Sequence, residues 1–278
     1  MRFAKGHGTG NDFVIVPDPD GTTTLSPGTV AALCDRRRGI GADGVLVVVR
    51  SARHPEAAGM AGEAEWFMDY RNADGSVAEM CGNGTRVFTR YLIETGLVDA
   101  TGEVPLATRA GVVRARIEGD TIGVDMVPPR ALGSASTRLG GELLLGTRVS
   151  VGNPHLVCRV DEVSRLDLTR APDLDPTVFP EGANVEFFVD EPDLPGTDTH
   201  VRMRVYERGS AETLACGSGA CAVAAVALRD AGRQAGRVAV DVPGGRLLVD
   251  LAAGRCRLSG PAVIVATGEV DLERLPVG

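Results

Sequence analysis

Short β-branched and aromatic runs, broken by clusters of glycine and polar residues, dominate this chain, and runs so bounded predict strands. The clearest are Phe13-Val14-Ile15-Val16, Val45-Leu46-Val47-Val48-Val49, Val112-Val113-Arg114-Ala115-Arg116-Ile117, Val185-Glu186-Phe187-Phe188-Val189 and Val201-Arg202-Met203-Arg204-Val205-Tyr206. The last alternates apolar and basic residues, so it is expected to bury one face only. Two stretches read as helices instead: Val87 to Glu94, stopped at Thr95-Gly96, and Ala222 to Asp230, stopped at Ala231-Gly232. Both read as apolar nearly all round, which predicts helices enclosed by sheet.

Each helix follows a Cys-Gly-x-Gly turn, Cys81-Gly82-Asn83-Gly84 and Cys216-Gly217-Ser218-Gly219. Upstream, Gly41-Ala42-Asp43 and Gly182-Ala183-Asn184 each precede a strand run, and before those Gly10-Asn11 and Gly152-Asn153 lead into another. The landmarks 11, 43 and 81 are spaced by 32 and 38 residues, and 153, 184 and 216 by 31 and 32. Three ordered landmarks at near-matching spacings read as two diverged copies of one α/β unit, each with a cysteine at the start of its central helix.

A length of 278 residues fits two domains or one large one. The candidate seam is Val127-Pro128-Pro129-Arg130, followed by the small, polar run Ala131 to Gly141. Lys plus Arg number 29 and Asp plus Glu 37, a formal charge of −8, so the chain lacks the basic field that binds nucleic acid or anionic membrane non-specifically. The longest apolar stretch, Ala220 to Leu228, falls far short of the ~20 residues of a membrane span. Met1 to His7 carries no apolar secretory region, and a cytoplasmic location is expected. Six cysteines are too sparse for a disulfide framework. No Cys-x-x-Cys or His-Glu-x-x-His spacing is present, and His7, His54, His155 and His200 are isolated from one another, so no metal is expected.

A cysteine at a helix N-terminus sits at the positive end of the macrodipole, which is expected to lower its thiol toward neutrality. The adjoining glycines let backbone N–H groups approach an anion, making each turn a candidate carboxylate or phosphate cradle. If the two copies face each other across a cleft, one thiol lies on each side of a bound molecule. Inverting a stereocentre by proton transfer needs such a pair, one group removing a proton and the other returning one to the opposite face. Cys34, Cys158, Cys221 and Cys256 read as packing residues. His54 and His200 read as surface residues, and Arg36-Arg37-Arg38 as a solvated helix end.

Four segments resemble the diaminopimelate epimerases, in collinear order across nearly the whole chain. They are Lys5-Gly6-His7-Gly8-Thr9-Gly10-Asn11-Asp12-Phe13; Arg71-Asn72-Ala73-Asp74-Gly75-Ser76 through Cys81-Gly82-Asn83-Gly84-Thr85-Arg86; Gly152-Asn153-Pro154-His155; and Glu207-Arg208-Gly209 through Cys216-Gly217-Ser218-Gly219-Ala220-Cys221. The resemblance implies a cofactor-independent interconversion of LL- and meso-2,6-diaminopimelate, a step toward lysine and peptidoglycan, usually by a homodimer. It implies an α/β (α+β) fold of two pseudo-symmetric domains, each a mixed β-sheet barrel wrapped around a central helix, with the active site in the cleft between them. The C-terminal strand is expected to return to the first domain, dividing the chain into 1–127 plus 263–278 and 128–262. Carried over, Cys81 and Cys216 match the catalytic bases, with His155 and Glu207 as catalytic groups supporting the thiols. Asn11, Asn72, Asn153, Asn184, Glu207 and Arg208 match substrate-holding positions, and Gly82, Asn83, Gly217 and Ser218 the carboxylate cradle. Many members carry Gln at the position of Gly44, which here offers backbone only.

Gly39-Ile40-Gly41-Ala42-Asp43-Gly44 satisfies the dinucleotide fingerprint, but it precedes a strand run where the fingerprint must follow one, so it is rejected. Three alternatives stand beside the epimerase: a proline-type racemase on the same fold, a thiol–disulfide switch using Cys81 and Cys216, and a binding protein without chemistry.

Overall fold

The computed structural model describes residues 1–99 and 101–275, so the last three positions of the expected 263–278 segment, 276–278, lie outside the described residues. The chain forms two units, Met1–Val124 with Pro261–Gly278, and Asp125–Gly260. In order along the first run are β1 (Arg2–Gly8), β2 (Asn11–Pro17), α1 (Pro27–Cys34), β3 (Gly44–Arg50), β4 (Trp66–Asn72), α2 (Gly82–Glu94), β5 (Glu103–Thr108), β6 (Gly111–Glu118) and β7 (Thr121–Met126). The second unit follows with β8 (Arg130–Leu139), β9 (Glu142–Ser150), β10 (Pro154–Arg159), β11 (Asp173–Leu174), β12 (Asn184–Asp190), β13 (Thr199–Glu207), β14 (Ala211–Thr213), α3 (Gly217–Asp230), β15 (Gly236–Val242), β16 (Gly245–Ala252) and β17 (Arg255–Pro261). The chain then returns to the first unit with β18 (Val263–Glu269), which pairs antiparallel with β1.

The two units repeat one sheet. In the first, the order is β18-β1-β2-β3-β4-β5-β6-β7, and only β2–β3 and β4–β5 are parallel. In the second it is β8-β9-β10-β12-β13-β15-β16-β17, and only β10–β12 and β13–β15 are parallel. The sequence of antiparallel and parallel steps is the same in both. The central helix of each packs on its own strands, α2 on β1, β2 and β18 and α3 on β13, β15 and β16. The fold is mixed α+β, as the strand-rich pattern with two enclosed helices predicts.

Both helices begin at glycine, several residues before their apolar runs, because Cys81 and Cys216 cap them and set the start. α3 fits the expectation of an enclosed helix: Ala220, Cys221, Val223, Ala224, Ala227 and Leu228 are buried against Val201, Met203, Val238, Val240, Leu247 and Leu258. Each larger aliphatic there is worth ~1.5–3 kcal/mol of burial. α2 is enclosed as well but is not apolar all round, since Asn83, Thr85, Arg86 and Thr89 are buried beside Val87, Phe88 and Leu92. Arg86 is tolerated there because its Nη2 donates to Asn83 Oδ1 at 2.5 Å and to Thr9 Oγ1 at 3.1 Å. The polar run that follows the candidate seam, Ala131 to Gly141, lies in the hairpin of β8 and β9, whose ladder satisfies its backbone. α1 has no counterpart in the apolar pattern and is set by punctuation: Ser26 caps it, accepting from Thr29 N–H, and Pro27 opens it.

Candidate active site

In the first unit the site gathers at the start of α2. Cys81 is half-buried, and its sulfur accepts the Gly84 N–H at 3.4 Å while the thiol donates to Asn11 Oδ1 at 3.7 Å. Asn11, opening β2, also accepts from Asn83 Nδ2 at 3.3 Å and donates to Asp43 Oδ2 at 2.7 Å. Asn83 is buried, and its side-chain amide bonds Asn11 and Arg86. Asn72 ends β4 opposite Gly44, and its Nδ2 donates to Ser76 Oγ at 3.0 Å within the turn that follows. Arg36, expected as a solvated helix end, grips Asp12 through both Nη atoms at 3.0 and 2.7 Å and reaches Asp43 at 2.7 Å. Burial works to raise Asp12, but Arg36 and Lys5 outweigh it and hold the carboxyl at about 2.

Gly44 has a steric cause. A Cβ there would lie 2.6 Å from the Arg71 carbonyl oxygen and 2.8 Å from the Tyr70 ring, so the strand pair closes only over glycine. Gly39 to Gly44 follows α1 and runs into the first residue of β3, the reverse of the dinucleotide order.

In the second unit the site gathers at the start of α3. The Cys216 sulfur accepts the Gly219 N–H at 3.4 Å and lies 3.5 Å from Ser218 Oγ and 4.0 Å from Asn184 Nδ2. Asn153 Nδ2 donates to Ser218 Oγ at 3.5 Å, and Asn153 Oδ1 lies 3.0 Å from His155 Nε2. His155 Nδ1 is 2.7 Å from Glu186 Oε1, with both side chains at 0% exposure. Arg208 donates its backbone N–H to Asn184 Oδ1 at 3.0 Å, while its exposed guanidinium bonds the Glu181 carbonyl at 3.0 Å. Glu207 accepts from the Thr213 hydroxyl and hydrogen-bonds Cys216. Burial pushes the Glu207 carboxyl up, against those two hydrogen bonds.

The expectation that each helix start lowers its thiol fails at Cys216. Burial pushes this thiol well above its ordinary value, and the Glu207 and Glu186 carboxylates add to it, outweighing Ser218 and the Gly219 N–H. The helix dipole remains; full enclosure beside two carboxylates overrides it. The four other cysteines are buried, Cys34 and Cys158 being pushed by burial to about 11 and about 12. His200 is also buried rather than on the surface, bonding the Pro192 carbonyl at 2.8 Å and Asp241 at 2.9 Å. His54 is partly covered, its ring 4.5 Å from that of Phe67.

Strand register refines the match between the copies. β2 sets Phe13 beside Gly44, and β10 sets His155 beside Asn184, so the counterpart of Asn184 is Gly44 and not Asp43. Asp43 stands one residue before the strand and serves the turn. Two positions on, Leu46 corresponds to Glu186, a residue the sequence reading passed over. Among the described residues, no cluster of three or more His, Cys, Asp or Glu side chains is placed to hold a metal ion, and no helix is long and apolar enough to cross a membrane.

The family model described as Diaminopimelate epimerase matches residues 3–132 and 147–273. A diaminopimelate epimerase of Thermobifida fusca is 56% identical over 281 residues, covering 99% of this chain and 100% of the relative. One from Streptomyces coelicolor is 51% identical over 98% of this chain and 96% of its own. Among solved structures, a phenazine biosynthesis protein of the PhzF family from Bacillus anthracis shares the fold with a TM-score of 0.72 at 19% identity, over 97% of this chain and 98% of that one. With its paired Cys-Gly-x-Gly helix starts and a match along nearly its full length, this chain belongs to the diaminopimelate epimerase family.

Proposed function

We propose that this chain interconverts LL- and meso-2,6-diaminopimelate with two cysteines, one removing the α-proton as thiolate and the other delivering its own proton as thiol, without a cofactor, on the way to lysine and peptidoglycan. The observation that carries the reading is the twinned N-cap: Cys81 and Cys216 hold the same position in two copies of one sheet, each sulfur accepting a glycine N–H at 3.4 Å. In one direction Cys81 as thiolate takes the α-proton and the Cys216 thiol delivers its own to the opposite face; in the other the roles exchange. A Cys216 kept protonated by its surroundings is suited to the donor half. First-turn N–H groups at Gly82, Asn83, Gly217 and Ser218 suit the substrate carboxylate, whose negative charge grows as the α-carbon loses its proton. Asn11, Asn72, Asn153, Asn184, Glu207 and Arg208 supply polar groups for the amines and the distal centre. The reading extends to a cytoplasmic homodimer, supported by the family resemblance, with neither nucleic acid nor membrane as partner, supported by the charge of −8.

The test is turnover of each diaminopimelate isomer in D₂O with nothing added. Two bases place solvent deuterium in the product before it appears in recovered substrate. Cys81→Ser and Cys216→Ser each lower epimerisation by ~10²–10⁴-fold, the range for a removed acid–base group. Absence of exchange in the wild type, or full activity in either variant, overturns the reading.

A further inference from the structure

We propose that Glu186 is a positioning residue for Cys216: it holds His155 as the imidazolium, whose second N–H starts a line of hydrogen bonds running through Asn153 and Ser218 to the sulfur. The proposal rests on reading Cys216 as an acid–base group.

The line is continuous within the second unit. Glu186 Oε1 lies 2.7 Å from His155 Nδ1, His155 Nε2 lies 3.0 Å from Asn153 Oδ1, Asn153 Nδ2 lies 3.5 Å from Ser218 Oγ, and Ser218 Oγ lies 3.5 Å from Cys216 Sγ. Both ring nitrogens of His155 face oxygens, a carboxylate on one side and an amide carbonyl on the other, and each such contact takes an N–H. Every donor then points toward the sulfur, ending at the Ser218 hydroxyl. The line therefore favours the charged sulfur when a proton has left, and the burial that favours the thiol acts against it.

The surroundings of Glu186 call for a cation. The carboxylate is fully enclosed, and its Oε2 has no hydrogen-bond partner. Unpaired, a buried carboxylate is costly, and His155 is the cationic group in contact with it. Other titratable groups acting at this position are Glu207 from β13, Cys216 from α3 and Cys158 from β10, none of them a cation. Above it, the first turn of α3 comes so close that a Cβ on Gly219 would lie 2.6 Å from Oε1, which sets the carboxylate against the positive end of the helix.

Packing alone does not ask for this pair. At the corresponding position under α2, the atoms nearest a Cβ on Gly84 are Leu46 Cδ2 and Phe13 Cζ, both at 3.4 Å, so the same fold position is filled there by apolar side chains.

The experiment is ¹⁵N-histidine NMR of the full chain, with the His155 signals assigned by their loss in His155→Gln, alongside steady-state epimerisation from pH 6 to 9. In the wild type both His155 nitrogens read as protonated at pH 7. In Glu186→Gln, which keeps the shape and removes the charge, one nitrogen loses its proton and the pH profile of kcat shifts. There kcat falls by ~10–100-fold with KM little changed, the loss of one charge-assisted hydrogen bond, and Glu186→Asp recovers part of it. A neutral His155 in the wild type overturns the proposal even if Glu186→Gln fails to fold, as does an unaltered kcat profile in a folded Glu186→Gln. An imidazolium at His155 in a wild type that exchanges no α-proton overturns the epimerase reading and leaves the buried pair standing.

Discussion

Under the first turn of α2 lie Phe13 and Leu46; under the first turn of α3, at the same place in the repeated sheet, lie His155 and Glu186. The cysteines above them differ in step. Cys81 is half-buried and bonded to an amide that itself leans on the Asp12–Asp43–Arg36 cluster, whereas Cys216 is enclosed and bordered by carboxylates. A duplicated unit has kept its capping geometry and changed what lies beneath it. The difference teaches that helix position alone does not tune a thiol: the same N-cap holds sulfurs in unlike surroundings, which suits a reaction needing one group charged while the other is neutral.

The comparison is broken hardest by copying one unit into the other. His155→Phe, reproducing Phe13, leaves Glu186 buried without its partner and costs ~3–5 kcal/mol in urea unfolding, whereas adding Glu186→Leu, reproducing Leu46, removes most of that loss. A single variant as stable as the wild type shows that the pair is not an ion pair. At the counterpart of Asn184, Gly44→Ala forces a Cβ against the Arg71 carbonyl and lowers stability by ~1–3 kcal/mol. An unchanged melting temperature there means that β3 and β4 yield, and the steric account of Gly44 fails. The smallest effect is in labelling. With limiting iodoacetamide at pH 7.5, Cys81 is alkylated first, and Cys216 by at least about tenfold more slowly, because only the thiolate reacts and burial keeps Cys216 protonated. Raising the pH narrows the gap. Faster labelling of Cys216 reverses the assigned difference.

Much of this arrangement is legible in the sequence because it rests on local signals. β-branched runs marked β2, β3, β6, β12 and β13, and each Cys-Gly-x-Gly marked the start of a central helix. Spacing showed the duplication, but only strand register distinguishes Gly44 from Asp43 as the counterpart of Asn184, since a one-residue offset hides inside a turn. Glu186 was in plain view, an acidic residue within an otherwise apolar run, and the apolar run outweighed it; a charge at a core position was the signal. The thiol of Cys216 was out of reach for another reason. Its proton affinity depends on enclosure and on the Glu207 and Glu186 carboxylates, which two different strands bring against it. His200 reads as a surface residue for the same reason, since its burial depends on a distant partner at Asp241.

The return of β18 to β1 gives the two units different histories during synthesis. All the strands of the second unit emerge from the ribosome in one uninterrupted run, whereas the first unit, although made first, waits for Val263–Glu269 before its eighth strand is in place. Until then β1 has an open edge, so the half of the molecule that carries Cys81 is the half exposed longest to mispairing and to chaperones. A released chain cut short before residue 263 would therefore carry every strand of the second unit beside a first unit lacking its edge strand.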